Sequence, residues 1–514
     1  VSQAAVGVPV PTNLGTATMN GSGNDYAITV TQANTVIEYQ TFNIAVQESV
    51  TFDHAAELSG YRVLNRIDQS FGATAIDGSI TALNSGVLYF VNPAGVYFGA
   101  GAVVNVGGIY AAAGTISDLN FGQGNDAFVS LGARGEVVNE GVITAESVAA
   151  LVGRKVQNMG TIQTSGTGGR IYLLAADNQV TIQDGLFSIQ FNPRATPVDD
   201  TASGNYAVTN EGTVGGQSGD APADVKIGAS DIYSFALNQS AGGRIANARN
   251  VDVELNSDDA DMESSIEGSI QASGTVTLKG GFGDQITDAF LQHFAADTLS
   301  FVSDNIQINE ALRPGSITTL AFEDTDGGPV IGVAPGEIVA PQIHWTGQVG
   351  GSAGDCQVTE DFLQYFQALT FTFTSDNILL TENVAVGLGA ASGIDIATLV
   401  LEDTNGGPTT TVGVTIEAPA VILSGDVGDS VATELISHFK TDTLTFDSDS
   451  LLLNTVGVMV DPDRIGQLVL HDDDEGPTIG PAIGANDIAI TASNLVFSSD
   501  SGQQIDEGNL ISHE

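Results

Sequence analysis

Apolar and polar positions alternate with a period of two along most of this chain, and glycine, asparagine, proline and aspartate interrupt the alternation every few residues. That combination predicts short β-strands joined by tight turns. Residues 90–110, FVNPAGVYFGAGAVVNVGGIY, show it most clearly. Leu88, Phe90, Val96, Phe98, Val103, Val104 and Val106 are strand formers, while Asn92-Pro93-Ala94-Gly95 and Gly99-Ala100-Gly101 carry turn chemistry. The segment is expected to run strand, turn, strand, turn, strand. An Asn-x-Gly-x-(Ile/Val) unit recurs at Asn139–Ile143, Asn158–Ile162 and Asn210–Val214. Asn139 and Asn158 are 19 positions apart, about one coil of a β-solenoid. Either the asparagines stack as a hydrogen-bonded ladder, with each following glycine taking a positive φ, or these are three unrelated turns.

The second half repeats on a longer scale. ITDAFLQHFAADTLSFVSDNI at 286–306 recurs as VTEDFLQYFQALTFTFTSDNI at 358–378 and VATELISHFKTDTLTFDSDSL at 431–451. Phe294, Phe366 and Phe439 mark periods of 72 and 73 residues, which three coils of some 20–25 residues would fill. Each unit opens with a helical turn that Thr287 or Asp288 could cap, followed by an alternating strand. His293, Tyr365 and His438 share one repeat position, which points to packing rather than catalysis. Each unit also holds an acidic turn: Phe322–Pro329, Leu401–Pro408 and, more loosely, His471–Pro477. Asp324, Asp326, Asp403 and Asn405 offer oxygen ligands at a bend, so these turns either hold calcium or are solvated Asp-Gly turns. No other cofactor is expected. Residues 505–513 resemble the start of a fourth unit. An open solenoid end there would be covered by the next copy, head to tail, or by a cap, or would mark a processed chain.

The ordered motifs resemble the secretion domain of filamentous haemagglutinin-like adhesins exported by two-partner secretion. The residues carrying the likeness are Asn92-Pro93-Ala94-Gly95, Phe98-Gly99 and Val104-Asn105-Val106-Gly107-Gly108. Upstream lie Tyr39–Ile44, Glu48–Phe52, Leu64–Ile67 and Gly78–Ile80. Ala94 departs from the family's Asn-Pro-Asn-Gly turn, and its earlier Asn-Pro-Asn-Leu motif has no counterpart, so a variant branch is indicated. The resemblance implies an all-β, right-handed parallel β-helix with an N-terminal cap in residues 1–45 and short helical segments between the later repeats. Asn92, Pro93, Gly95, Phe98, Gly99, Asn105, Gly107 and Gly108 would form its secretion and folding motif. It also implies an outer-membrane transporter as export partner and release to the surface or surroundings of a Gram-negative-type bacterium. The secretion-like region is placed at 1–245 and the repeat region at 246–514.

Composition narrows the function. The chain has 514 residues, 62 Asp plus Glu against 14 Lys plus Arg, and a formal charge of −48, which argues against nucleic acid or an anionic membrane as partner. No apolar run is long enough for a membrane helix, and the absence of a leader at Val1 is expected of a processed mature chain. The single cysteine, Cys356, forms no internal disulfide and is expected to behave as a small buried apolar residue. No nucleophile elbow, phosphate loop or paired-histidine spacing stands out. The reading is therefore a non-enzymatic adhesin or filament subunit. The alternative is a secreted β-helical enzyme or binding protein acting on a polysaccharide.

Overall fold

The computed structural model describes residues 9–131, 135–190, 206–230, 235–256, 263–283, 286–325, 328–347, 349, 356–390, 392–405, 407–425, 431, 433–448, 451–453, 458–472, 478–479 and 490–499. Asp326, residues 473–477 and the expected fourth unit at 505–513 lie outside the described residues. The chain forms two compact units, 1–281 with 293–297, and 282–292 with 298–514. Residue 245 lies inside one strand, Arg244–Asn256, and the division falls near 281. Both units are parallel β-solenoids.

In the first unit, the leading edge is closed by antiparallel pairs. Val10–Asn13 runs against Asn34–Thr41, and Thr18–Ser22 against Asp25–Val30. Parallel pairing then takes over: Asp25–Val30 with Ser49–His54, and Asn34–Thr41 with Arg62–Ile67. An antiparallel cap of this kind covers backbone groups that would otherwise template another strand. The regular coils have three faces. Val87–Val91, Val96–Phe98 and Val103–Ala112 follow one another around a coil, and Gly108 returns to pair with Val87. Val137 pairs with Val156 and Val142 with Thr161, so the 19-residue spacing is one full coil.

The asparagines do stack. The Asn139 Nδ2 donates to Asn158 Oδ1 at 2.8 Å, Asn158 to Asn210 at 2.8 Å, and Asn210 to Gln239 Oε1 at 2.9 Å, all buried. The glycine two residues on serves a different purpose from the one expected. Gly141, Gly160 and Gly212 do not have left-handed φ values. A Cβ on Gly141 would press on the Ala102 carbonyl at 2.6 Å, one on Gly160 on the Gly141 carbonyl, and one on Gly212 on the Gly160 carbonyl. Coils stacked at β spacing bring each corner onto the carbonyl beneath it, and only glycine leaves the room.

In the second unit the repeat is three coils deep. Thr370 pairs with Thr398, Ala420 and Thr398 pair, and Ala420 pairs with Thr443, which returns to the same repeat position. Thr287 and Thr359 cap the short helices Asp288–Leu291 and Glu360–Leu363 by accepting the Phe290 and Phe362 N–H. Inside the coils Phe322, Trp345, Phe373, Leu401, Leu423, Phe446 and Leu470 stand in register as one buried column. Phe322 and Trp345 stack at 5.4 Å, and Phe362 of the helical turn meets Trp345 edge-on at 5.2 Å. His438 is buried with Nδ1 2.8 Å from the Val414 carbonyl, a packing position as expected. Cys356 is fully buried, and desolvation pushes its thiol up to about 12.

Asn158 is an inner rung of a buried ladder. Asn158→Ala leaves the Asn139 amide only its long contacts to the Gly141 and Thr161 carbonyls at 3.3 and 3.4 Å and strands the Asn210 acceptor, at about 1–3 kcal/mol. Urea unfolding followed by circular dichroism is expected to show that loss, whereas alanine at exposed Asn105 is expected to change stability by less than about 0.5 kcal/mol.

Candidate export and nucleation site

The residues singled out from sequence lie mostly on the corners of adjacent early coils. Asn92 is fully buried at the end of Val87–Val91. Its Nδ2 donates to the Gly72 carbonyl at 3.0 Å and Thr74 Oγ1 at 3.1 Å, and its Oδ1 accepts the Ala94 N–H at 2.9 Å. The Gly95 N–H closes the turn on the Asn92 carbonyl at 2.9 Å. Thus one side chain shapes its own turn and ties it to the coil below. Pro93 is half-buried and pre-sets the first central dihedral of that turn. Gly95 is required twice: its φ is 120°, and a Cβ there would sit 2.9 Å from the Glu136 carbonyl of the next coil.

Phe98 is buried between Ile76 below and Asn139 above, so it forms the floor on which the asparagine ladder begins. At Gly99 a Cβ would collide with the Asp77 carboxylate, and at Gly107 with the Ser85 carbonyl. Gly108 packs between Val87 and Val148, where a Cβ would lie 3.1 and 2.9 Å from their methyls. Asn105 is the exception. It is exposed on the outer face, in register with Thr81 and Thr144, and joins no corner.

The upstream landmarks converge on the same coils. Phe42 packs 5.0 Å from both Tyr39 and Phe90, with Phe52 at 6.5 Å. Asn43 Oδ1 accepts the Ala75 N–H at 2.9 Å, and Glu48 Oε2 accepts the Ala45 N–H at 2.7 Å. Asn65 Nδ2 donates to the Tyr89 carbonyl at 3.1 Å. Phe42 and Phe90, 48 positions apart in sequence, therefore become parts of a single aromatic plug with hydrogen-bonded corners.

One component was not anticipated from sequence. The outside of the Val87–Val91, Val103–Ala112, Val142–Gly153 and Arg170–Ala175 face is not solvated. The helix Asp118–Gln123 and the antiparallel strands Asp126–Val129, Gln179–Gln183 and Leu186–Gln190 cover it, burying Tyr89, Tyr110, Tyr172, Phe121 and Phe128 together. A polar knot pins this layer. Asp126 accepts from Arg62 Nη2 at 3.0 Å and Tyr89 Oη at 2.9 Å, and the Tyr110 hydroxyl also bonds it. The Arg62 guanidinium lies 5.0 Å above the Tyr89 ring and 4.8 Å from Phe121, donating to the Phe121 carbonyl at 2.7 Å. Burial holds Asp126 above the ordinary carboxylate range despite its hydrogen bonds and Arg62, and burial raises the Tyr89 and Tyr110 hydroxyls further still. The signal for this layer was present: VLYFV at 87–91 and IYLLA at 171–175 are unbroken apolar runs, as strands covered on both faces must be.

The acidic turns of the second unit have a structural occupation. Asp403 is buried, and its two oxygens accept the Ile378 N–H at 2.9 Å and the Asn405 N–H at 3.0 Å. Asp324 does the same for Ile306 and Gly328, each at 3.3 Å. Asn405 itself is exposed. Among the described residues no three His, Cys, Asp or Glu side chains converge as a metal-ligand set.

The family model of the TPS secretion domain matches residues 8–271, just over half of the chain and all of the corner cluster. The chain belongs to the TPS secretion domain family. A curated relative, the heme/hemopexin-binding protein of Haemophilus influenzae, is 30% identical over 192 residues. The match covers 35% of this chain and only 20% of that relative. Two solved structures align over most of their length: the HMW1 secretion domain of Haemophilus influenzae and a filamentous hemagglutinin secretion domain. The first has 19% identity, covers 81% of this chain and 99% of its own, and gives a TM-score of 0.41. The second has 13% identity, covers 63% and 97%, and gives 0.34. TPS exoproteins are secreted from Gram-negative bacteria, and a TPS domain implies an outer-membrane transporter as the partner in export. Among the described residues no helix is long and apolar enough to cross a membrane.

Two outcomes follow for the TPS domain. Gly95→Val forces a β-branched residue into a left-handed φ against a carbonyl, at about 1–3 kcal/mol; secreted protein should fall and unexported chain accumulate, as read by immunoblot of medium and periplasm. Because the folded pKa of Asp126 is raised, its contribution is complete below the unfolded carboxylate value near 4 and is lost as pH rises through the folded value. Asp126→Asn should remove that slope from the pH dependence of urea midpoints, while Asp126→Ala, which leaves Arg62 unpaired under the apolar layer, should cost about 3–5 kcal/mol.

Proposed function

We propose that the chain is a non-enzymatic adhesive exoprotein, in which the TPS domain directs export and the repeat region presents a ligand-binding surface outside the cell. The observation that supports this most is the three-coil repeat. Its inward positions hold a continuous apolar column, and the turn carboxylates of Asp324 and Asp403 hold backbone N–H groups. That division of labour favours a repeated binding scaffold over a single reaction centre. The Haemophilus influenzae relative is named for heme and hemopexin binding, but it shares only a fifth of its length with this chain, so that activity is not the reading favoured here. Head-to-tail association, suggested by residues 505–513, rests on positions outside the described residues and forms no part of the proposal.

The test is co-expression with and without the cognate outer-membrane transporter, followed by measurement of protein in the medium, on the cell surface, and of adherence to host or abiotic surfaces. Export that depends on the transporter, with adherence lost on deletion of residues 298–514, is the expected outcome. Adherence unchanged by that deletion would exclude the repeat region as the binding part.

A further inference from the structure

From residue 282 to the C-terminus the sequence contains only three Lys or Arg residues, Arg313, Lys440 and Arg464, amid a strongly acidic background. All three line clefts on the same corner of the second solenoid. In each three-coil repeat, one coil turns this corner with a protruding loop and the other two turn it tightly. The protruding loops are residues 313–316, 387–390 with 392–393, and 461–464. Beside the first, the tight corners at 339–341 and 367–369 form the floor of a cleft of about 450 Å³, with Asp395 and Ala397 on its other side. Between the second and third, the corners at 417–419 and 440–442 floor a cleft of about 570 Å³.

The stacking order is fixed by backbone bonds. Val386 N–H donates to Glu417, Ala418 to Lys440, and Thr441 to Arg464 in one cleft; Val339 donates to Leu312 and Ala340 to Gln367 in the other. The two walls of each cleft are therefore three coil steps apart, about 14 Å at β spacing. That admits one extended chain lying across the corner. Leu388, 90% exposed, stands at the rim of the larger cleft.

The lining chemistry selects the occupant. Lys440 pairs with Glu417 at 2.7 Å while half-exposed. Arg464 donates to the Phe439 carbonyl at 3.3 Å and Thr415 Oγ1 at 3.4 Å, neutral acceptors that leave its charge uncompensated by them. Asp442 and Asp463 line the same cleft, and Asp395 lines the smaller one with Arg313; these carboxylates offer acceptors to hydroxyl groups. No aromatic side chain lines either cleft among the described residues, so stacking on a neutral sugar ring is not provided for. An acidic peptide offers carboxylates to the cations but no hydroxyl donors to Asp442 and Asp463. A saccharide that carries both carboxylates and hydroxyls satisfies the cations and the acceptors together.

We propose that these repeat-spaced clefts bind an acidic saccharide, with Lys440 and Arg464 in one and Arg313 in the other holding its carboxylates. The proposal names a ligand class for the binding surface suggested above and rests on that reading for its biological setting. Its test uses soluble full-length chain without cells, so a failure of adherence and a failure of saccharide binding are separate results.

The experiment is calorimetric titration in EDTA, which removes divalent bridges, with tetragalacturonate, neutral galactotetraose and tetraglutamate as probes. Tetragalacturonate should bind, weaken with added salt, and weaken by about tenfold or more in Lys440→Gln/Arg464→Gln. Arg313→Gln should remove part of the binding. Glu417→Gln, which releases Lys440 from its partner, should tighten binding, a change that a damaged fold does not produce. No binding of tetragalacturonate, equal binding of the neutral sugar, tighter binding of tetraglutamate, or indifference to these substitutions would each overturn the proposal.

Discussion

Everything in this protein is subordinate to the parallel hydrogen-bonded stacking of one coil on the next. Each coil satisfies its backbone groups by lying directly on its neighbour, and that close approach determines which residues are tolerated at every corner. At Gly141, Gly160 and Gly212 the carbonyl beneath leaves no space for a Cβ. At Asn139, Asn158 and Asn210 a side chain pointing inward must find its partner in the adjacent coil, and it does so in the identical residue. Apolar side chains obey the same rule, so Phe322, Trp345 and Phe373 form a column without being near one another in sequence.

Much of this was legible because a solenoid writes its geometry into sequence spacing. The 19-residue interval between Asn139 and Asn158 is one coil, and the 72–73-residue interval between Phe294, Phe366 and Phe439 is three. The turn at Asn92–Gly95 was readable because Asn, Pro and Gly each have a narrow backbone preference. The reason for the Asn-x-Gly glycine was not readable, since positive φ and steric exclusion demand the same residue and only coordinates separate them. Asn105 sits among the glycines of the motif, and alternation sends its side chain outward.

The covering layer over the first solenoid was hidden for a different reason. Asp126–Val129 and Gln179–Gln183 have the composition of ordinary coil strands, and nothing local says that they run antiparallel outside the spiral. Their partner face carried the evidence instead, in runs such as VLYFV that bury side chains on both sides. The knot of Arg62, Tyr89, Tyr110 and Asp126 joins residues more than 60 positions apart, a pairing that no spacing rule anticipates. The acidic turns illustrate the converse. Asp324 and Asp403 have the composition of cation ligands, but a carboxylate placed over a tight turn is equally suited to receiving two backbone N–H groups.

The three-coil period also sets a ruler. Successive protruding loops on one corner recur at intervals fixed by covalent repeat length and β spacing rather than by flexible linkers. A polymer whose recognised groups match that interval would engage neighbouring clefts as one event, the second at high effective concentration, and gain avidity without any single cleft binding tightly.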